Sequence, residues 1–188
     1  MYLIVGLGNP EEDYSRTRHN MGFEVINKIS EEYNIKVNKN KFKALFGMGE
    51  IEGKKVILLK PQTFMNLSGE AVQEFVDFYK IDLNKLIIIY DDIDTSPKIV
   101  RIRKFGGPGT HNGMKSVVQC LGSDKFPRIR VGIGMPEHGK QDLINYVIGH
   151  ISDEEYEKLL IGVNKAKNAI TSIIKNGIDI AMNEYNNS

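Results

Sequence analysis

The chain has 188 residues and a formal net charge of +1, with 25 Lys and Arg against 24 Asp and Glu. That length suits one domain, residues 1–188, with a core large enough to need neither disulfides nor a structural metal. No stretch approaches the roughly 20 consecutive apolar residues of a membrane span, Cys120 alone excludes an intrachain disulfide, and so small a net charge does not by itself predict a polyanionic partner.

Residues 2–7 are aliphatic and β-branched, and Gly6, Gly8 and Pro10 end the run, so a buried strand leads into a loop. The opening residues lack a basic leader, a long apolar region and a small-residue cleavage site, which predicts a cytoplasmic protein. Gly6-Leu7-Gly8 starts like a dinucleotide fingerprint, but Glu11 stands where the third glycine belongs and Pro10 stiffens the loop. The glycines instead suit a sharp turn at the carboxyl edge of a sheet, with Asn9 facing a ligand crevice. His19 lies in the polar run Thr17-Arg18-His19-Asn20 and reads either as a helix-start residue or as a base.

Apolar residues at Phe23, Ile26, Ile29 and Tyr33 predict an amphipathic helix over about 20–33. Residues 42–50 and 54–59 form two apolar runs about Glu52-Gly53, the pattern of a hairpin. A polar loop follows with Phe64, Met65 and Asn66, in which Phe64-Met65 fits core packing as well as a contact, and Asn66 fits a cap as well as a site. Ser68 is expected to cap a helix whose apolar face is Ala71, Val72, Phe75, Phe78 and Tyr79.

Residues 86–90 make a continuous apolar run, expected to be a central strand buried on both faces. Asp91, Asp92 and Asp94 follow directly. They suit Mg²⁺ ligation, a carboxylate that orients a histidine, or a solvated turn. Between 96 and 135 eight basic residues stand against one acid, Asp124, a local charge of about +7. Within this segment residues 98–103 and 128–131 alternate, placing Arg101 with Arg103 and Arg128 with Arg130 on single faces of two strands.

Residues 106–113, rich in glycine, allow close backbone approach to phosphate ahead of a helix start, but lack the Gly-Lys-Ser/Thr ending of a P-loop. Cys120, on the helix that follows, is expected to be inert. His111, His138 and His150 have no close pairing in sequence, so no metal is assigned. Ser152-Asp153-Glu154-Glu155 is a capping box for a long helix that Asn176-Gly177 ends, with a short terminal helix after it. Strands alternating with helices, plus a hairpin, give an α/β class: a single domain with a twisted mixed β-sheet covered by helices on both faces.

Gly-Leu-Gly-Asn-Pro at 6–10, Tyr14, Thr17 to Asn20, the run from Thr63 to Gly69, Asp91, the run from His111 to Ser116, Arg130 and Gly132-Ile133-Gly134 together resemble the bacterial-type peptidyl-tRNA hydrolases. The resemblance spans nearly the whole chain. It implies hydrolysis of the ester between a peptide and the 3′-terminal ribose of tRNA, by a monomer without cofactor. Its catalytic set is His19 as base, Asp91 as its partner and Asn9 as the residue that separates blocked from free aminoacyl groups. Tyr14, Phe64, Met65, Asn66 and Asn112 match contacts to the tRNA end or its peptide, and Arg103, Lys115 and Arg130 belong to the tRNA-binding set. Thr110, Met135 and Tyr90 depart from the family pattern, standing where relatives often carry glycine, histidine and histidine. Two rivals are a non-hydrolytic tRNA- or RNA-binding module on the same fold and a metal-dependent esterase or nuclease built on Asp91, Asp92 and Asp94.

Overall fold

A computed structural model describes residues 1–137 and 142–187. Among them, seven strands form one mixed sheet: β1 (Tyr2–Gly6), β2 (Lys39–Lys41), β3 (Ala44–Ile51), β4 (Lys54–Pro61), β5 (Leu86–Asp92), β6 (Val100–Arg103) and β7 (Arg128–Gly132). Six helices accompany them: α1 (Met21–Tyr33), α2 (Ser68–Tyr79), α3 (Asn112–Leu121), α4 (Leu143–Ile148), α5 (Asp153–Asn176) and α6 (Ile178–Tyr185). The spatial order is β2-β3-β4-β1-β5-β7-β6. β4, β1, β5 and β7 are parallel, while β2, β3 and β6 add antiparallel edges.

The central strands separate two cores, as period-two alternation requires. Ile87 and Ile89 of β5 face α1 and α5, whereas Leu86, Ile88 and Tyr90 face α2 and α3. The continuous apolar run of β5 therefore means burial on both faces. The hairpin between β3 and β4 turns through Glu52 and Gly53, both with positive φ. Ser152 accepts the Glu155 backbone N–H at 3.1 Å, the expected cap of α5. Ser68 departs from expectation: it is the first residue of α2, and its hydroxyl donates to the Met65 carbonyl rather than capping the helix. The three-residue strand β2 and the short helix α4 are too brief to leave a periodic signal in the sequence.

β1 pairs with β4 on one side and β5 on the other. The chain leaves β1 toward β4 and leaves β5 toward β6 and β7 on the opposite side, so a switch point falls between β1 and β5 and opens a crevice at the carboxyl ends of these strands. Asn9 follows β1 there, and Asp91 lies at the end of β5. No helix among the described residues is long and apolar enough to cross a membrane.

Candidate active site

Small residues bring the first loop onto β5. A methyl group on Gly6 would meet the carbonyl oxygen of Gly22 at 2.1 Å, and one on Gly22 would meet the carbonyl oxygen of Ile89 at 2.5 Å. The start of α1 thus sits directly on the ends of β1 and β5. Neither Gly6 nor Gly8 has positive φ, so these glycines supply room for a helix rather than the sharp turn expected from sequence. A short 3₁₀ turn over Arg18–Asn20 precedes α1, and the Thr17 hydroxyl fastens it by donating to the Tyr14 carbonyl at 2.8 Å.

That turn carries His19 to Asp91. The Nδ1–H of His19 donates to Asp91 at 2.9 Å to Oδ2 and 3.1 Å to Oδ1, and the carboxylate is 4% exposed. Burial alone would lower the affinity of the His19 ring for a proton, but the charge of Asp91 and its hydrogen bond outweigh this and raise it above the ordinary histidine value. In Asp91, burial alone would push the carboxyl up; the two imidazoles beside it prevail and hold it well below the usual carboxylate range. With Nδ1 committed to the carboxylate, Nε2 is the ring nitrogen left to accept a proton.

The second imidazole belongs to His111, which opens one of the motifs that carry the resemblance but was given no role of its own, since no histidine lies near it in the chain. Its Nε2 lies 2.9 Å from Asp91 Oδ1, and its Nδ1 accepts the Met114 backbone N–H at 3.2 Å as the N-cap of α3. The rings of His19 and His111 are 4.9 Å apart, and Tyr90 meets His111 edge-on at 5.0 Å. The ligand atoms of His19, Asp91 and His111 lie within 4.8 Å of one another, close enough to suggest a metal. The tautomers oppose that reading. An amide hydrogen donated into Nδ1 of His111 leaves the ring proton on Nε2, so the nitrogen facing the carboxylate presents a hydrogen and no lone pair.

The aspartate cluster resolves similarly. Asp92 accepts the backbone N–H of Asp94 at 3.0 Å and the Thr95 hydroxyl at 2.6 Å, so it closes a turn instead of joining Asp91 in a cation site. His138 lies outside the described residues. Cys120 is a half-buried free thiol on α3.

A cavity of about 270 Å³ opens beside the cluster, lined on its polar side by His19, Asp91, His111, Asn112 and Arg130 and on its apolar side by residues of α4. Asn9 is joined to the site through its backbone, paired with Asn20, the neighbour of His19. Phe64 is 68% exposed and lines a separate shallow groove with Pro10 and Gln62, and Asn66 is exposed beside it. Met65 differs from the expected contact surface: its side chain lies in the core between β1, α2 and α3, where a methyl on Gly113 would meet its sulfur at 2.7 Å. Ser116 Oγ accepts the Gly69 N–H at 2.9 Å, which binds the run from Thr63 to Gly69 to the run from His111 to Ser116. Tyr14 is half-buried in the first loop, and Lys115 is exposed on α3.

The strand arginines divide. β6 and β7 pair Arg101 with Arg130 and Arg103 with Arg128. Like charges set opposite one another destabilise a sheet, so each of these arginines needs a partner elsewhere. Arg103 and Arg130 are half-buried and reach the surface, and Arg130 Nε donates to the Tyr90 hydroxyl at 3.2 Å. Arg128 corrects the reading of a uniformly outward basic face: it is fully buried, and its guanidinium donates to the carbonyls of Asp124, Phe126 and Gly107.

A mixed α/β sheet with a histidine, a carboxylate and a cavity at its switch point has the architecture in which α/β proteins place their ligand and active sites. A family model described as peptidyl-tRNA hydrolase matches residues 3–188. Among relatives, the peptidyl-tRNA hydrolase of Alkaliphilus metalliredigens (strain QYMF) is 54% identical over 99% of this chain and 100% of its own length. That of Caldanaerobacter subterraneus subsp. tengcongensis is 51% identical over the same shares. The crystal structure of peptidyl-tRNA hydrolase from Acinetobacter baumannii superposes with a TM-score of 0.91 at 35% identity, covering 97% of this chain and 93% of that one. The chain belongs to the peptidyl-tRNA hydrolase family.

Proposed function

We propose that this protein hydrolyses the ester joining a peptide, or an N-blocked aminoacyl group, to the 3′-terminal ribose of tRNA, with His19 as general base. The observation that carries the reading is the 2.9 Å pair of His19 and Asp91 at the mouth of a cavity. Neutral His19 takes a proton at Nε2 from water attacking the ester carbonyl and gives it to the departing ribose hydroxyl, leaving a free carboxylic acid and free tRNA. Asp91 holds the ring with its proton on Nδ1 and stabilises the cation formed in between. An aminoacyl ester is electrophilic enough that no covalent enzyme intermediate is needed.

Asn9 and Asn66 offer amide N–H donors for the added carbonyl of a blocked amino group, a partner that a free aminoacyl group lacks, which supports a sieve for blocked substrates, and Asn66 and Asn112 suit the substrate carbonyls and the attacking water. Tyr14 and Phe64 offer aromatic surface for the tRNA end, with Met65 packed behind it. Arg103, Lys115 and Arg130 supply phosphate contacts. The same reading makes the protein a single-domain, cofactor-independent monomer of the cytoplasm. Full-length kinship to named hydrolases, with His19 and Asp91 both in place, disfavours the non-hydrolytic module.

The test is purified protein acting on N-acetyl-aminoacyl-tRNA and on free aminoacyl-tRNA. Release of tRNA from the first and not the second is expected; equal cleavage of both, or of neither, overturns the proposal.

A further inference from the structure

Asp91 is shared by two imidazoles, and the proposed reaction uses one. His111 sits between two commitments. The Met114 backbone N–H points into its Nδ1 at 3.2 Å, and its Nε2 stands 2.9 Å from Asp91 Oδ1. A backbone amide can only donate, so the ring proton is confined to Nε2 and donated to the carboxylate. His19 makes its shorter contact, 2.9 Å, to the other oxygen, Oδ2.

We infer that His111 is a positioning residue for the base: locked in one tautomer by the start of α3, it occupies Oδ1 of Asp91, orients the carboxylate toward His19 and limits the share of negative charge that His19 meets. The inference rests on the reading of His19 as the base and adds a physical reason for a second histidine beside it. A buried carboxylate with one partner would hold a proton on its histidine strongly, and a base that is charged at working pH accepts nothing. A second N–H on the same carboxylate moderates that pull. Because the cap belongs to the helix that also carries Asn112, the arrangement joins substrate contact and base through one residue. The charged and titratable groups that line the cavity with the pair are Tyr90, Asp91 and Asp92 from β5, Asp94 in the turn after it and Arg130 from β7, while Arg18, next to His19 in the chain, lies against Tyr146 of α4 at 4.0 Å and Glu155 of α5 at 3.8 Å.

Two substitutions separate the two bonds. His111→Asn places a carbonyl where Nδ1 was and keeps the cap, Asn being a favoured N-cap residue, but loses the donor to Asp91. His111→Gln places an amide N–H near Nε2 and keeps the donor, but loses the cap. Imidazole ¹⁵N shifts followed across pH read the tautomer of His111 and the titration of His19 directly, and kcat/KM gives the acid limb. We expect His111 in the native protein to carry its proton on Nε2. His111→Asn should raise the His19 titration and the acid limb together by about one unit, while His111→Gln leaves both near the native position and melts lower. A His111 proton found on Nδ1, or a His19 titration unmoved in His111→Asn, overturns the inference. If kcat/KM in the native protein does not follow the His19 titration, the base assignment fails instead, and the nitrogen shifts still decide whether His111 shares the carboxylate.

Discussion

Asn20 binds Asn9 by both ends of its side chain: its Oδ1 accepts the Asn9 backbone N–H at 2.7 Å, and its amide donates to the Asn9 carbonyl at 2.9 Å. Since Asn20 adjoins His19, the loop after β1 and the turn that bears the proposed base hold a common geometry. Asn20 is buried, so Asn20→Ala leaves two backbone groups short of partners and should cost about 1–3 kcal/mol in denaturant unfolding. Turnover of N-acetyl-aminoacyl-tRNA should fall with it, because Asn9 is released. Wild-type kinetics in that variant would show that Asn9 needs no such support.

Replacing the base itself should act on chemistry alone. His19→Ala is expected to lower kcat by roughly 10²–10⁴-fold while tRNA binding survives, since the ring is only 12% exposed and contributes little contact surface. Unchanged hydrolysis would remove His19 from the mechanism.

The sign of the pH dependence follows from the direction of the His19 shift. Its neutral ring is the working form, so kcat/KM should decline as pH falls through a value above the ordinary 6.5. Asp91→Asn takes away the raising influence and should move that limb to lower pH, with a large loss in rate. Stability runs the other way for this group: the contribution of the raised histidine is complete below about 6.5 and disappears as pH rises through the folded-state value. Asp91, with its depressed carboxyl, contributes above its ordinary 3.8 and loses that contribution as pH falls through the lower folded value. Urea unfolding across pH with kinetics on the same samples checks both signs.

The arginines of β6 and β7 should separate by function. Arg103→Ala with Arg130→Ala is expected to weaken tRNA binding and reduce the slope of log K against log salt by roughly 0.9 for each phosphate that is no longer neutralised. Arg128→Ala removes hydrogen bonds to three carbonyls from the interior and should destabilise by about 2–4 kcal/mol with the salt slope retained. Equal effects on the salt slope from both changes would put Arg128 in the tRNA interface after all.

Activity should persist in excess EDTA, because the His111 tautomer denies a cation its third ligand and Asp92 is engaged by Asp94 and Thr95. Loss of turnover that Mg²⁺ or Zn²⁺ restores would reverse this.

Much of the architecture is legible locally. Apolar spacing places α1 and α2, the continuous run of 86–90 announces a strand covered on both faces, and Ser152 with Glu155 marks the start of α5. These signals are readable because period and capping are properties of neighbours in the chain. Arg128 escapes such reading for the complementary reason: alternation gives its place on the strand face correctly, but Phe126 and the loop through Gly107 fold over it, stacking the ring 4.5 Å from the guanidinium. Met65 likewise turns inward, since the packing of α3 against α2 decides which side of a short turn is covered.

For this protein, residue types and their order determined most of the helices and strands and the basic stretch between 96 and 135, while the pairing of His19 with Asp91 came from the resemblance of separated motifs to one family. Only tertiary structure decided that β5 lies beside β1, that Gly22 lets α1 descend to the end of β5, and that His111 comes to the same carboxylate as His19. Contacts between residues 20 and 72 positions apart depend on sheet order and helix docking, and these arise from the burial of whole faces rather than from any single motif.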